Sequence, residues 1–155
     1  MQAGFDLGSM KGAGPPSKVM LVIQNRIAEM QKVVELVEQF GAAHGVPQAV
    51  TNDLNQSLDE LLNNTISYGY EDQRSHDIII SLLHTKHQLI AEIQDDGKIF
   101  DPRKTNPAIP SSPLQSRKIG GLGLHFVKSL MDDLRYTRVG QRNTTTIMKN
   151  LQEGT

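Results

Sequence analysis

The chain has 155 residues, 37% of them apolar and 21% charged, with a formal net charge of -1. That is enough chain for one substantial core but not two, and the composition is that of an ordered globular domain. Balanced charge leaves no basic stripe, so no direct nucleic-acid partner is expected. The absence of cysteine excludes a disulfide framework and a thiolate zinc site, and it is compatible with a cytoplasmic location. No apolar run reaches membrane-spanning length, so no membrane partner is expected, and the start of the chain lacks the pattern of a secretory signal.

Residues 1–17 (MQAGFDLGSMKGAGPPS) read as a flexible tail, and their Gly8-Ser9-Met10 has the look of a vector-derived junction. A single domain is expected over residues 18–155. Its first element is a β-branched strand at residues 19–23. Ile27, Met30, Val34 and Val37 then recur at helical spacing and predict an amphipathic helix ending between Gly41 and Gly45. Pro47 suits the first turn of a second helix. Val50, Leu54, Leu58, Leu61 and Leu62 supply that helix's buried stripe, and Tyr68-Gly69-Tyr70 closes it.

Residues 77–83 and 89–94 predict an antiparallel hairpin around Thr85-Lys86-His87. Residues 98–119 carry Pro102, Pro107, Pro110 and Pro113, a long loop of the kind that forms functional lids. A Gly-rich turn then leads into a helix with Leu124, Val127, Leu130, Met131 and Leu134 on its apolar face. Residues 134–139 and 144–148 predict closing strands around Gly140-Gln141-Arg142-Asn143. This order predicts an α+β fold: helices on one face of a mixed, mostly antiparallel sheet.

Three segments carry chemistry. Glu60 and Asn64, at i and i+4, share one face of the second helix. A carboxamide oxygen there can ligate Mg²⁺, and the carboxylate can take a proton from an attacking hydroxyl. Such a pair also occurs by chance on a solvated face. Asp95-Asp96-Gly97 follows an apolar strand, and a carboxylate fixed there can accept a hydrogen bond from an exocyclic amine. An ordinary Asp-Gly turn gives the same pattern. Gly120-Gly121-Leu122-Gly123 opens a helix, where backbone N–H groups can converge on phosphate oxygens. The order of these segments, with the Pro-rich loop between the second and third, is the compound signal.

On these residues the chain resembles the GHKL ATPase/kinase superfamily of gyrase, Hsp90, histidine kinases and MutL. Through ELLNNTISYGY (60–70), QDDGKIFDP (94–102) and IGGLGLHFVKSLMDDLRY (119–136) it is most similar to the anti-sigma-factor serine/threonine kinases. The resemblance implies a two-layer α/β sandwich of the Bergerat type and ATP with Mg²⁺ as cofactors. It implies Glu60 as the catalytic base and Asn64 as the Mg²⁺ ligand. Asp95 would hold the adenine amine with Gly97 against the base, and Gly121, Leu122 and Gly123 would bind the phosphates. Residues 98–119 would be the ATP lid, with Lys118 or Arg117 approaching the γ-phosphate. Thr144, or else Thr145, would add a hydroxyl at the adenine end. The sequence departs from the family pattern at Tyr68, Ile99 and Ile119, while Phe100-Asp101-Pro102 fits the short-lid branch.

The implied function is an ATP-dependent serine/threonine protein kinase and anti-sigma factor in a partner-switching system. It would phosphorylate a serine on a STAS-domain antagonist, with a sigma factor as a second partner. The resemblance also implies a homodimer, for which residues 19–45 offer an amphipathic surface. Two competing readings stand beside it: a non-catalytic, nucleotide-regulated binding module and a nucleotide-free structural domain. The histidines at 44, 76, 84, 87 and 125 lack ligand spacing and read as ordinary surface or core residues.

Overall fold

The computed structural model describes residues 14–104 and 121–152, side chains excepted at 121–123. Among these residues five strands form one sheet in the order β1-β2-β3-β5-β4. They are β1 (Lys18–Gln24), β2 (Asp77–His84), β3 (Gln88–Asp95), β4 (Asp133–Val139) and β5 (Arg142–Asn150). Every described pairing is antiparallel, so the parallel pair that a mixed sheet would contain is not among them. Three helices, α1 (Met30–Ala43), α2 (Gln48–Tyr68) and α3 (Gly121–Leu130), complete the α+β architecture. Among the described residues no helix is long and apolar enough to cross a membrane.

Alternation along the strands sends one set of side chains toward the helices. Val19 and Ile23 of β1, Ile78, Ile80 and Leu82 of β2, Leu89, Ala91 and Ile93 of β3 and Ile147 of β5 are all buried. The helices answer with Leu54, Leu58, Leu61 and Leu62 from α2, and Leu124 and Val127 from α3. The stripe on α1 differs from the expected one. Ile27 lies in a separate 3-10 turn and is exposed, and Val34 is only half-buried. Met30, Val33, Leu36, Val37 and Phe40 carry the contact instead. Val33 and Val34 are adjacent apolar residues, so spacing alone leaves the helix phase undetermined by one position. Leu134, expected on the last helix, belongs to β4, because α3 stops at Leu130 and Met131 is buried just beyond it.

Two ends follow directly from local chemistry. At the C-terminus of α1 the N–H of Val46 donates to the Gly41 carbonyl (2.9 Å) and that of Gly45 to Ala42 (3.3 Å). Gly45 has φ +65°, so this is a Schellman close that needs glycine. The β4–β5 hairpin needs only Gly140-Gln141, with Gly140 at φ +60° in the first central position. Arg142 and Asn143, expected in that turn, are strand residues. The shorter turn moves Asn143 onto the helix-facing side of the sheet, where it is buried.

Helices α1 and α2 approach closely at Gly41. A Cβ placed there would lie 2.7 Å from Thr51 Oγ1, and Thr51 is itself buried. Thr51 Cγ2 lies at an ordinary 3.6 Å, so the clash falls on the hydroxyl, which would have to leave the Pro47 carbonyl it donates to (3.4 Å) in order to turn away. Gly41→Ala is expected to destabilise the fold by about 1–3 kcal/mol despite alanine's better helix propensity. Urea unfolding would measure it, and adding Thr51→Ala should recover most of the loss.

The outer sheet face bears on self-association. Met20 and Val22 of β1 are more than half exposed, whereas the apolar stripe of α1 is spent on the core. The large apolar side chains that residues 19–45 expose are therefore Met20 and Val22 on the outer face of β1 and Ile27 in the turn before α1, not the stripe of the helix.

Candidate functional site

A cavity of about 320 Å³ lies between the C-terminal half of α2, the end of β3, the start of β5 and residues 98–102. Leu61 and Ile93 form its apolar floor, and Ile99, Phe100 and Pro102 its outer wall. The polar groups sit at its two sides: Asn64 and Thr65 on the helix, Asp95, Asn143 and Thr145 on the strands. Volume and lining suit a flat, partly polar ring system.

On the helix side, the sequence places Glu60 and Asn64 one turn apart, and both donors of the Asn64 amide are spent there. Nδ2 donates to the Glu60 carboxylate (2.9 Å) and to the Glu60 backbone carbonyl (2.8 Å). The amide oxygen of this buried side chain is thereby turned away from Glu60 and left for the cavity. A hard, oxygen-seeking cation such as Mg²⁺ fits that donor, and Asn64 is the residue that would hold it. Glu60 stands behind Asn64, half-exposed and outside the cavity wall.

On the strand side, Asp95 is buried at the last position of β3. Its Oδ1 accepts from the Gly97 N–H (2.8 Å) and from Asn143 Nδ2 (2.9 Å). Burial pushes the carboxyl pKa up, against the two hydrogen bonds that lower it. Gly97 is needed for a different neighbour than expected. It is not part of the cavity wall; a Cβ on it would sit 2.9 Å from the Gly69 carbonyl oxygen and 3.0 Å from Asp95 Oδ1. The close approach is between two stretches of backbone, sealed by Lys98 N–H donating to Gly69 O at 2.8 Å.

Strand periodicity also decides between the two threonines. Thr145 is buried and faces the cavity, whereas Thr144 points to the opposite face of the sheet. Thr144 is therefore replaced by Thr145 as the hydroxyl at this end, because only every second residue of β5 looks toward the helices. Gly121, Leu122 and Gly123 open α3, which packs beside α2. Arg117, Lys118, Ile119 and Gly120 lie outside the described residues, as does the rest of the segment expected to form a lid beyond Lys104. The described start of that segment is anchored. Arg103 pairs with Asp101 (2.7 Å), and Lys128 of α3 donates to the Arg103 carbonyl (2.9 Å).

Two groups escaped the sequence reading. Asn143 was absorbed into a turn that proved shorter. His76 read as an isolated histidine, yet its ring is held by Asp72 at Nε2 (2.8 Å) and Asp96 at Nδ1 (3.1 Å) and stacks on Tyr70, centroids 4.3 Å apart. Asn25 and His76 also exchange hydrogen bonds (2.8 and 3.1 Å), which fastens the α2–β2 connection to the end of β1. The spacing His76–Asp72 was visible in the sequence; the approach of Asp96 depends on the fold.

The hydrogen bond that the His76 ring donates to Asp72, with the one it donates to Asp96 behind it, holds His76 above its ordinary pKa despite some desolvation. For a group raised on folding, the stabilisation is complete below the unfolded-state pKa of about 6.5 and is lost as pH rises through the higher folded-state value. His76→Gln should therefore lower Tm at about pH 6 more than at about pH 8.5. Thermal melts across that range would check it, and a pH-independent difference would count against the charged clamp.

The fold and cavity together define a class, the α+β sandwich with a nucleotide-sized pocket between one helix and the ends of two strands. The chain matches the family described as histidine kinase-like ATPase domain over residues 23–149, and it belongs to that family. It is 31% identical over 87 residues to the serine-protein kinase RsbW of Oceanobacillus iheyensis, covering 54% of this chain and 55% of that one. It is 28% identical over 94 residues to the serine/threonine-protein kinase BtrW of Bordetella bronchiseptica, covering 61% and 66%. The chain thus spans a little over half the length of the first of these relatives. Among solved structures, the RsbU and RsbW domains of Rv1364c from Mycobacterium tuberculosis superpose with TM-score 0.63 at 16% identity, over 87% of this chain and 32% of that one. That likeness supports the fold.

Proposed function

We propose that this chain is an ATP-dependent serine/threonine protein kinase that acts as an anti-sigma factor in a cytoplasmic partner-switching system. Its substrate would be a serine on a STAS-type antagonist protein, with a sigma factor as the alternative partner. The observation that carries the reading is the Glu60–Asn64 hydrogen bond at the wall of a cavity whose far side holds Asp95. That arrangement puts an oxygen able to face a metal and a ring acceptor on opposite sides of the pocket, with the base just behind the first.

In this mechanism Asp95 accepts a hydrogen bond from the adenine amine, while Leu61 and Ile93 pack against the ring. Mg²⁺, when bound to the nucleotide, neutralises phosphate charge, and Asn64 is the side chain that would hold it. Glu60 takes the proton from the serine hydroxyl as its oxygen bonds to the γ-phosphorus and the bond to the departing ADP breaks. Asn64 keeps the Glu60 carboxylate turned to one side through its Nδ2 donor. Residues 121–123 at the start of α3 would bring backbone N–H groups to the phosphates. The product phosphoserine carries close to two negative charges, which would break docking by repulsion and desolvation.

The relatives named as a serine-protein kinase and a serine/threonine-protein kinase support this reading. The test is incubation with Mg·[γ-³²P]ATP and a purified STAS-domain antagonist, followed by mapping of the label. Label on a partner serine is the expected result. A partner that stays unlabelled while ATP binds would sink the kinase reading and leave a nucleotide-regulated binding module. No stabilisation of the fold by adenine nucleotides would remove both.

A further inference from the structure

The side chain of Asn143 is more tightly specified than any other polar group at the cavity. Its Nδ2 donates to Asp95 Oδ1 (2.9 Å), to the Lys98 carbonyl (3.0 Å) and to the Gly97 carbonyl (3.2 Å). Its Oδ1 accepts from Arg138 Nη1 (2.9 Å) and from the Tyr136 hydroxyl. A guanidinium can only donate, so the amide cannot be flipped without placing donor against donor. The amide face turned to Asp95 is therefore a donor, and the Asp95 oxygen it meets must accept. Gly97 N–H fixes that same oxygen as an acceptor a second time. Among the described residues no donor reaches the other oxygen, Oδ2, of this cavity-lining carboxylate.

We infer that Asn143 is a positioning residue that sets base selectivity, holding Asp95 so that the cavity presents a lone acceptor to the purine 6-position. The inference rests on the nucleotide reading of this cavity and deepens it. A 6-amino group donates to such an acceptor. A 6-oxo group places its own lone pairs against it and is rejected. The selectivity lies in the fixed polarity of a relay that runs from Arg138 and Tyr136, through Asn143, to Asp95. Arg138 also donates to the Gly97 carbonyl (2.9 Å), which ties the relay to the backbone on which Asp95 and the lid are strung.

ADP and IDP, which differ at the purine 6-position, are the probes, with calorimetric affinities measured for the wild type, Asn143→Ala and Tyr136→Phe. The wild type should prefer ADP by about 100-fold, the size expected for one charge-assisted hydrogen bond gained against one refused. In Asn143→Ala that ratio should shrink by about 10-fold, chiefly through weaker ADP binding, because Asp95 loses a donor and turns more freely. Tyr136→Phe leaves Asn143 in place and removes one of the two donors that orient it; the ratio should shrink there by a smaller factor. Equal loss of ADP and IDP affinity in Asn143→Ala, with the ratio unchanged, would make the residue merely structural and overturn the inference. Should Asn143→Ala fail to fold, an unchanged ratio in Tyr136→Phe decides against it in the same way. A wild type that binds neither nucleotide would overturn the nucleotide reading first, and this inference along with it.

Discussion

Replacing Glu60 with glutamine is expected to slow phosphoryl transfer by about 10²–10⁴-fold, the range for loss of a positioned general base. ADP affinity should stay within about two-fold of wild type, because Glu60 is not part of the cavity wall. Glutamine keeps the shape and an acceptor oxygen, so the bond from Asn64 Nδ2 at 2.9 Å can persist. What disappears is the ability to take a proton. Single-turnover transfer to the antagonist, run beside calorimetric ADP binding, separates these effects. Equal loss of transfer and binding would mean that Glu60 serves only to hold Asn64.

Asp95→Asn is the second large effect, and its direction follows from the same hydrogen bonds. The asparagine oxygen would remain where Gly97 N–H and Asn143 Nδ2 already demand an acceptor. The new amide nitrogen must then face the cavity, donor against the adenine amine. ADP affinity should fall about 100-fold or more, the loss of a charge-assisted hydrogen bond being compounded by repulsion. Stability should not fall with it. Burial raises the Asp95 pKa, so the ionised carboxyl works against folding. The sign follows: the wild type loses stability as pH climbs from the unfolded carboxyl value toward the higher folded one, and the variant lacks that slope. A variant unchanged or firmer in thermal melts, yet unable to bind ADP, is the expected pair of results. Intact ADP binding would remove Asp95 from the ring-binding role.

Much of the architecture was legible because the chain uses unambiguous signals. The Leu-rich stripe of α2, the hairpin around residues 85–87, and Gly45 after the last apolar turn of α1 all fall where the sequence put them, while Pro47, expected in the first turn of α2, sits one residue earlier as its N-cap with ψ 142°. Illegible parts had competing signals of equal strength. Adjacent valines at 33 and 34 offered two phases for α1, and three consecutive threonines offered two faces for β5. Gly140-Gln141-Arg142-Asn143 is rich in turn formers, so propensity swallowed Asn143 although two residues suffice to turn the chain. Counting back from Ile147 in steps of two would have put Thr145 and Asn143 on the inner face. The joining of Asn64 and Asp95 across one cavity was predicted from segment order, while the grip of Asp96 on His76 spans 20 residues and leaves no periodic trace.

The place of β5 in the sheet, between β3 and β4, has a consequence for how the protein is made. Chains emerge from the ribosome N-terminus first, and β1, α1, α2, β2 and β3 can assemble as a meander with its two helices. Asp95 is present by then, but its partner Asn143 arrives 48 residues later. Until β5 slots in, β4 has no described neighbour to pair with and the strand side of the cavity lacks Asn143 and Thr145. A nascent or prematurely terminated chain would therefore be unable to close around a nucleotide, and occupancy of the cavity would report that synthesis had passed through β5.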